Sequence, residues 1–245
     1  MLEQNENLII GRNAVTEALR ARRQIDTLLV AKGERSGSIG AIIAKCRDRG
    51  IVIKETDARK LDKICAGENH QGVAAFAAVH SYVEVEDILN KANEKNEKPF
   101  IIILDSIEDP HNLGAIMRTA EACGAHGIII PKRHSVSLTY AVGKASAGAV
   151  EYVPVARVSN LAQTIDELKS RGIWIYGADM GGKLWNEQDY SGPVGLVIGS
   201  EGSGISRLIK EKCDFIVSLP MKGKINSLNA SVAAGILMYE IAKGR

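Results

Sequence analysis

Three short stretches of the chain concentrate side chains that could do chemistry. The first, DSIEDPHNLGAIMR from Asp105 to Arg118, leads into a helix. With Asn112 as its cap, Leu113, Ile116, Met117, Ala120 and Cys123 share one stripe at the helical period. Arg118 lies opposite, among Gly114, Ala115 and Ala122, on a face bare enough for another molecule to come close. The structural alternative is a surface arginine paired with Glu121. The second stretch, IGSEGSGIS from Ile198 to Ser206, is a glycine-rich loop with one acid, Glu201. Its spacing is GxxGxG rather than GxGxxG, and it lacks the Lys-Ser/Thr of a phosphate-binding loop. Such a loop can hold a small ligand by backbone contacts, or simply turn strand into helix with Glu201 as a helix-start acid. The third, LPMKGKINSLNAS from Leu219 to Ser231, sets Asn226, Ser227 and Asn229 before the final helix, where one cap needs only one of them. Asn226 and Ser227 suit the cap and Asn229 the first turn; Lys222 and Lys224 suit phosphate contacts or a solvated loop. Taken together, the stretches are three strand-end loops converging on one crevice, where open α/β sheets bind ligands.

The elements that must position these loops are written in apolar runs. From Phe100 onward, FIIILD, HGIIIP, EYVPVA, GIWIYGAD, VGLVIGSEG and FIVSLP read as buried strands, most separated by helical segments such as LAQTIDELKSRG. That alternation predicts an α/β, doubly wound parallel sheet. The last helix, about Ser227 to Ala242, is apolar nearly all round and needs cover from the sheet or from a second subunit. Ahead of it, Leu8 to about Val79 alternates short strands (TLLVA, IVIKE, GVAAFAAV) with helices (RNAVTEALRARR, IGAIIAKCRDRG, DARKLDKICAG), the last two ending at Gly50 and Gly67. The expected organisation is a small domain over 1–80, a Lys- and Glu-rich linker with room for one short helix over 81–98, and the parallel-sheet domain over 99–245.

Composition excludes more than it identifies. A net charge of +2 and aromatics at 4% give no sign of an overtly basic surface or an extended base-stacking platform. No apolar run approaches the roughly 20 residues that span a bilayer, and the acidic, polar start MLEQNENLII is no secretory signal. Cys46, Cys65, Cys123 and Cys213 lack CxxC spacing, which argues against a zinc site and suits a reducing, cytoplasmic location. A Rossmann-type dinucleotide enzyme is disfavoured by the missing GxGxxG.

The segments DSIEDPHNLGAIMRTAEACGAHGIIIP, VGLVIGSEGSGIS and IVSLPMKGKINSLNASVAAGI resemble, in content and order, the three signature motifs of the SpoU/TrmH family. This family comprises S-adenosylmethionine-dependent RNA ribose 2'-O-methyltransferases of the SPOUT superfamily. The likeness runs through essentially all of 100–245. The front segment, IIGRNAVTEAL to HQGVAAFAAV, resembles the L30e-like substrate-binding domain of the subgroup that methylates a guanosine of 23S ribosomal RNA. Family members that act on transfer RNA carry similar motifs, and an inactive RNA-binding dimer is the alternative from another class.

The resemblance implies a C-terminal trefoil knot in the parallel-sheet domain, a homodimer, and cofactor held in the knot, with no metal and no membrane. Matched to the motifs, Gly199, Leu219 and Leu228 would contact the cofactor, with further contacts near Gly177. Asn112, Arg118, Glu201, Ser227 and Asn229 would form the active-site set. The family proposal makes the arginine at position 118 the base. A guanidinium normally keeps its proton, so we favour Arg118 as the group that orients the ribose, holds a phosphate and stabilises developing alkoxide charge, with Asn112 fixing Arg118 or the ribose. In the family this arginine acts near the partner chain's cofactor. None of the five histidines carries a base motif, and the resemblance gives His111 no catalytic role. In the front domain, Gly11, Arg12 and Asn13 at the first helix start would contact RNA phosphates, helped by Arg20, Arg22 and Arg23.

Overall fold

The computed structural model describes residues 7–33 and 37–245. The chain divides into two compact units, Met1–Ser81 and Tyr82–Arg245.

The first unit contains β1 (Leu8–Ile10), α1 (Arg12–Arg20), β2 (Ile25–Ala31), α2 (Ser38–Asp48), β3 (Val52–Thr56), α3 (Ala58–Ile64) and β4 (Val73–Ala77). Its four strands lie in the order β1-β4-β2-β3, with β2 and β3 parallel and the other pairs antiparallel. Alternation along β2 divides the core between two faces. Leu28 and Val30 pack with Val15 and Leu19 of α1 and Ile39 and Ile42 of α2. Leu29 and Ala31 pack with Leu61 of α3 on the other side. Gly50 and Gly67 follow their helices in the left-handed region (φ 63° and 81°), as glycines that close helices do.

The second unit contains α4 (Val85–Glu94), β5 (Phe100–Leu104), α5 (Pro110–Ala122), β6 (Gly127–Pro131), α6 (Tyr140–Ala145), β7 (Val155–Val158), α7 (Leu161–Ser170), β8 (Trp174–Leu184), β9 (Val194–Ile198), α8 (Arg207–Lys212), β10 (Phe215–Ser218) and α9 (Ala230–Ala242). All six expected apolar runs are strands of one parallel sheet, ordered β10-β8-β9-β5-β6-β7. Phe100, Ile102 and Leu104 of β5 pack beneath α5 and α9. Ile101 and Ile103 face the opposite layer, where Ile88 and Leu89 of α4 and Ile165 of α7 are buried. The helix within 81–98 is thus packed into this core. At the base of the sheet His126, 1% exposed, accepts a hydrogen bond from the Phe100 N–H at Nδ1 (3.0 Å) and meets Glu97 at Nε2 (3.0 Å).

Two helix starts differ from expectation. Helix α5 is capped by Asp109, which accepts from the His111 N–H (2.9 Å), with Pro110 as the first helical residue; Asn112 is already inside the helix. Helix α9 begins at Ala230, not near Ser227, and its cap is Asn229. The face around Arg118 is also less open than expected. An ideal Cβ on Gly114 would lie 2.4 Å from the Ala145 Cβ, so this glycine lets α6 pack directly onto α5. Along α9, Val232, Ile236 and Tyr239 stay 49%, 37% and 59% exposed, an apolar stripe this chain leaves uncovered.

Candidate active site

The strand order reverses between β5 and β9, and ligands of open α/β sheets sit beyond the carboxyl ends at such a switch point. There the two strands are tied together: the Asp105 N–H donates to the Ile198 carbonyl (2.9 Å), and the buried Asp105 carboxylate accepts from the Ser206 N–H (2.7 Å). Asp105 therefore clamps the returning end of the 199–206 loop. Spacing alone gives Asp105 no role; an acid ending an uninterrupted apolar strand is its signal in the sequence. Glu201 is not a helix-start acid, since α8 begins six residues later at Arg207.

The loop encloses one side of a cavity of about 360 Å³. Its walls come from the middle of β8 (Ala178–Met180), the 198–204 turn, and the segment from Val217 through Leu228 into α9. Gly199, Leu219 and Leu228, the three expected cofactor contacts, all line it, as do Glu201 and Ser227. Gly177 does not line it; its neighbour Ala178 does. The glycine at 199 has a steric cause: a Cβ there would lie 2.1 Å from the Gly204 carbonyl carbon. Asp179, also missed from sequence, lines the same cavity and pairs with Lys210 (2.8 Å).

At the cavity edge three side chains, from the first turn of α5, the 199–206 loop and the cap of α9, bond to one another. Glu201 Oε1 accepts from Asn112 Nδ2 (3.1 Å), from the Ala230 N–H (3.3 Å) and from Asn229 Nδ2. Asn229 Nδ2 also reaches Asn112 Oδ1 (2.9 Å). At its other end, Asn229 Oδ1 caps α9 by accepting from the N–H groups of Ser231 (3.0 Å) and Val232 (3.2 Å). Both carboxamides are thereby held in one orientation. Glu201 Oε2 makes no hydrogen bond among the described residues and remains available to a ligand.

Arg118 stands apart. It is exposed, lines neither this cavity nor the one beside it, and makes no hydrogen bond or ion pair among the described residues. Asn112 bonds Glu201 and Asn229 rather than Arg118, so the expected Asn112–Arg118 contact is absent within the chain. Six residues along one helix put Arg118 about 9 Å further along α5 and on a different face. In the first unit, the Arg12 N–H and Nε donate to Gln71 Oε1 (3.3 Å) and the Gln71 carbonyl (2.8 Å), so this helix start already holds a partner. Asn13 is exposed, and Arg20 pairs with Glu17. Lys222 and Lys224 are exposed. Among the described residues no His, Cys, Asp and Glu cluster could hold a metal ion, and no helix is long and apolar enough to cross a membrane.

Known proteins are similar to both units of the chain. Residues 99–239 match the SpoU rRNA Methylase family, and residues 8–83 match the family described as RNA 2'-O ribose methyltransferase substrate binding. A Bacillus subtilis relative, YacO, named in the TrmH family of tRNA/rRNA methyltransferases, is 51% identical over 245 residues, covering 100% of this chain and 98% of the relative. The crystal structure of the SpoU methyltransferase AviRb from Streptomyces viridochromogenes, in complex with AdoMet, superposes with a TM-score of 0.60 at 25% identity, covering 96% of this chain and 89% of that one. An AdoMet-bound rRNA methyltransferase from Sinorhizobium meliloti gives 0.59 at 26% identity, covering 98% and 88%. Matched over both units and half identical to a named relative, this chain belongs to the SpoU/TrmH family of RNA methyltransferases.

Proposed function

We propose that this chain moves the methyl group of S-adenosylmethionine onto a ribose 2'-hydroxyl of RNA, with a guanosine of 23S ribosomal RNA as the target. The observation that carries the reading is the bonded trio Asn112, Glu201 and Asn229, which ties the 105–118 segment to a cavity walled by the other two strand-end loops. The cavity fits the cofactor's chemistry. Leu219, Leu228 and Leu237 offer apolar surface for a flat base, and Gly199 and Gly204 bring bare backbone close on another wall. AviRb and the Sinorhizobium protein hold this cofactor in structures that superpose on the chain.

The bound cofactor supplies an already activated methyl group. The protein's task is then to hold the hydroxyl in line and to help it lose a proton. Oriented by Asn112 and Asn229, Glu201 presents Oε2 as an acceptor at the cavity edge. Arg118, exposed and without a partner, serves the opposite subunit of a homodimer, where its guanidinium orients the ribose, binds the adjoining phosphate and stabilises the forming alkoxide. The uncovered stripe Val232, Ile236 and Tyr239 supports that dimer. The front unit grips structured RNA, with Arg12 and Asn13 as contacts.

The test is transfer of radiolabelled methyl from S-adenosylmethionine to purified ribosomal RNA and transfer RNA, followed by mapping of 2'-O-methylated positions. Label on one 23S guanosine supports the full reading. Label on transfer RNA keeps the reaction and replaces the substrate; cofactor binding without transfer to any RNA leaves an RNA-binding dimer.

A further inference from the structure

A second cavity, of about 380 Å³, adjoins the first and shares Ser200, Glu201 and Ser203 with it. Asn112 lines it from α5. Its mouth lies between two loops: the one after β5, with Glu108 and Asp109, and the one after β6, with His134. Glu108 Oε1 is 3.7 Å from His134 Nδ1, and their side chains are 67% and 80% exposed. The two neighbouring acids differ. Asp109 is committed to capping α5, whereas Glu108 makes no other ion pair or hydrogen bond among the described residues. Beside His134, Arg133 is exposed and makes no hydrogen bond or ion pair among the described residues.

We propose that this second cavity receives the target nucleotide with its base turned out of the RNA, and that Glu108 reads that base as guanine. The inference rests on the methyl-transfer reading above. A ribose whose 2'-hydroxyl meets both the cofactor cavity and the Asn112–Glu201 edge must straddle the shared wall, which sends its base to the far side. Turning a nucleotide out of its stack is an established way for an enzyme to receive a base that a duplex would otherwise bury. Guanine is the base whose Watson–Crick edge offers two adjacent donors, N1–H and the 2-amino group, and one carboxylate can accept both. His134 is a positioning residue that holds Glu108 across the mouth. Arg133 binds the adjoining phosphate, which carries no sequence information.

The experiment compares synthetic RNA fragments carrying guanosine or inosine at the mapped position, with S-adenosylmethionine saturating. Inosine lacks only the 2-amino group. The wild-type chain is expected to favour guanosine about tenfold or more in kcat/KM, the scale of one lost base contact. Glu108→Gln brings the two substrates within roughly threefold, and Arg133→Ala lowers both equally without changing their ratio. Cofactor affinity by calorimetry stays at the wild-type value in both variants, showing that the fold and first cavity are intact. A wild type that ignores the guanosine-to-inosine change, or a Glu108→Gln chain that keeps the full ratio, overturns the assignment. Wild-type silence on every RNA is a separate outcome, which overturns the methyl-transfer reading and this assignment with it.

Discussion

Asn229 uses the two ends of its carboxamide differently: the oxygen caps α9, and the nitrogen donates to Asn112 and Glu201. Substitution can separate the two. Serine is an N-cap of similar quality but cannot reproduce the amide donor. Asn229→Ser should therefore unfold in denaturant within about 1 kcal/mol of wild type while methyl transfer falls roughly 100-fold or more, the scale of losing one preorganised donor. Asn229→Ala loses the cap too and should cost about 1 kcal/mol further. A serine variant that keeps near-wild-type turnover would remove the donor from the mechanism. Arg118 is the opposite case, because nothing in its own chain depends on it. Arg118→Ala is expected to shift stability by no more than about 0.5 kcal/mol and to abolish transfer.

At the level of elements, glycines divide into those that make room and those that merely turn. Gly199→Ala sets a methyl against the Gly204 backbone and should destabilise the chain by about 1–3 kcal/mol and weaken cofactor binding in calorimetry. Gly223→Ala in the neighbouring loop meets no atom within 4 Å and is the control expected to change neither. The strands were legible because uninterrupted runs such as FIIIL and VGLVI can only be buried on both faces. The helix starts were less so. Asp109 and Asn112 are both good caps by type, and Pro110 at the first helical position was the underused discriminator. Asn226, Ser227 and Asn229 posed the same ambiguity, which only the backbone resolves. The tight contact of Gly114 with α6 left no trace in the sequence, because an approach between helices has no local period. Nor can spacing show that Asn112 and Asn229, 117 residues apart, touch; their excess of polarity hinted at a site and the family resemblance supplied the grouping.

For the whole molecule, Arg118 and the cavity set up a complementation test. Chains carrying Arg118→Ala mixed with chains carrying Asn229→Ser should regain activity up to about a quarter of wild type. In the homodimer proposed above, one site of each mixed pair then has an intact guanidinium and an intact cavity edge. No regain would make each site self-contained. Stability should also follow pH through His126. Burial outweighs the neighbouring Glu97 carboxylate and lowers its pKa from 6.5, so the folded chain keeps the imidazole neutral where the unfolded chain takes up a proton. The stabilisation is complete above about pH 6.5 and is lost as pH falls through the lower folded value. His126→Asn should flatten the decline in unfolding free energy as pH falls below about 6.5, measured by denaturant titration.

The cap on α9 has one more consequence. The amide protons of Ser231 and Val232 hang on Asn229 Oδ1, whose opposite end is bound to the cavity edge. Whatever stills Asn229 from the ligand side must slow solvent exchange at those two amides. The first turn of the last helix thus becomes a built-in reporter, readable by deuterium uptake, of whether the crevice is filled.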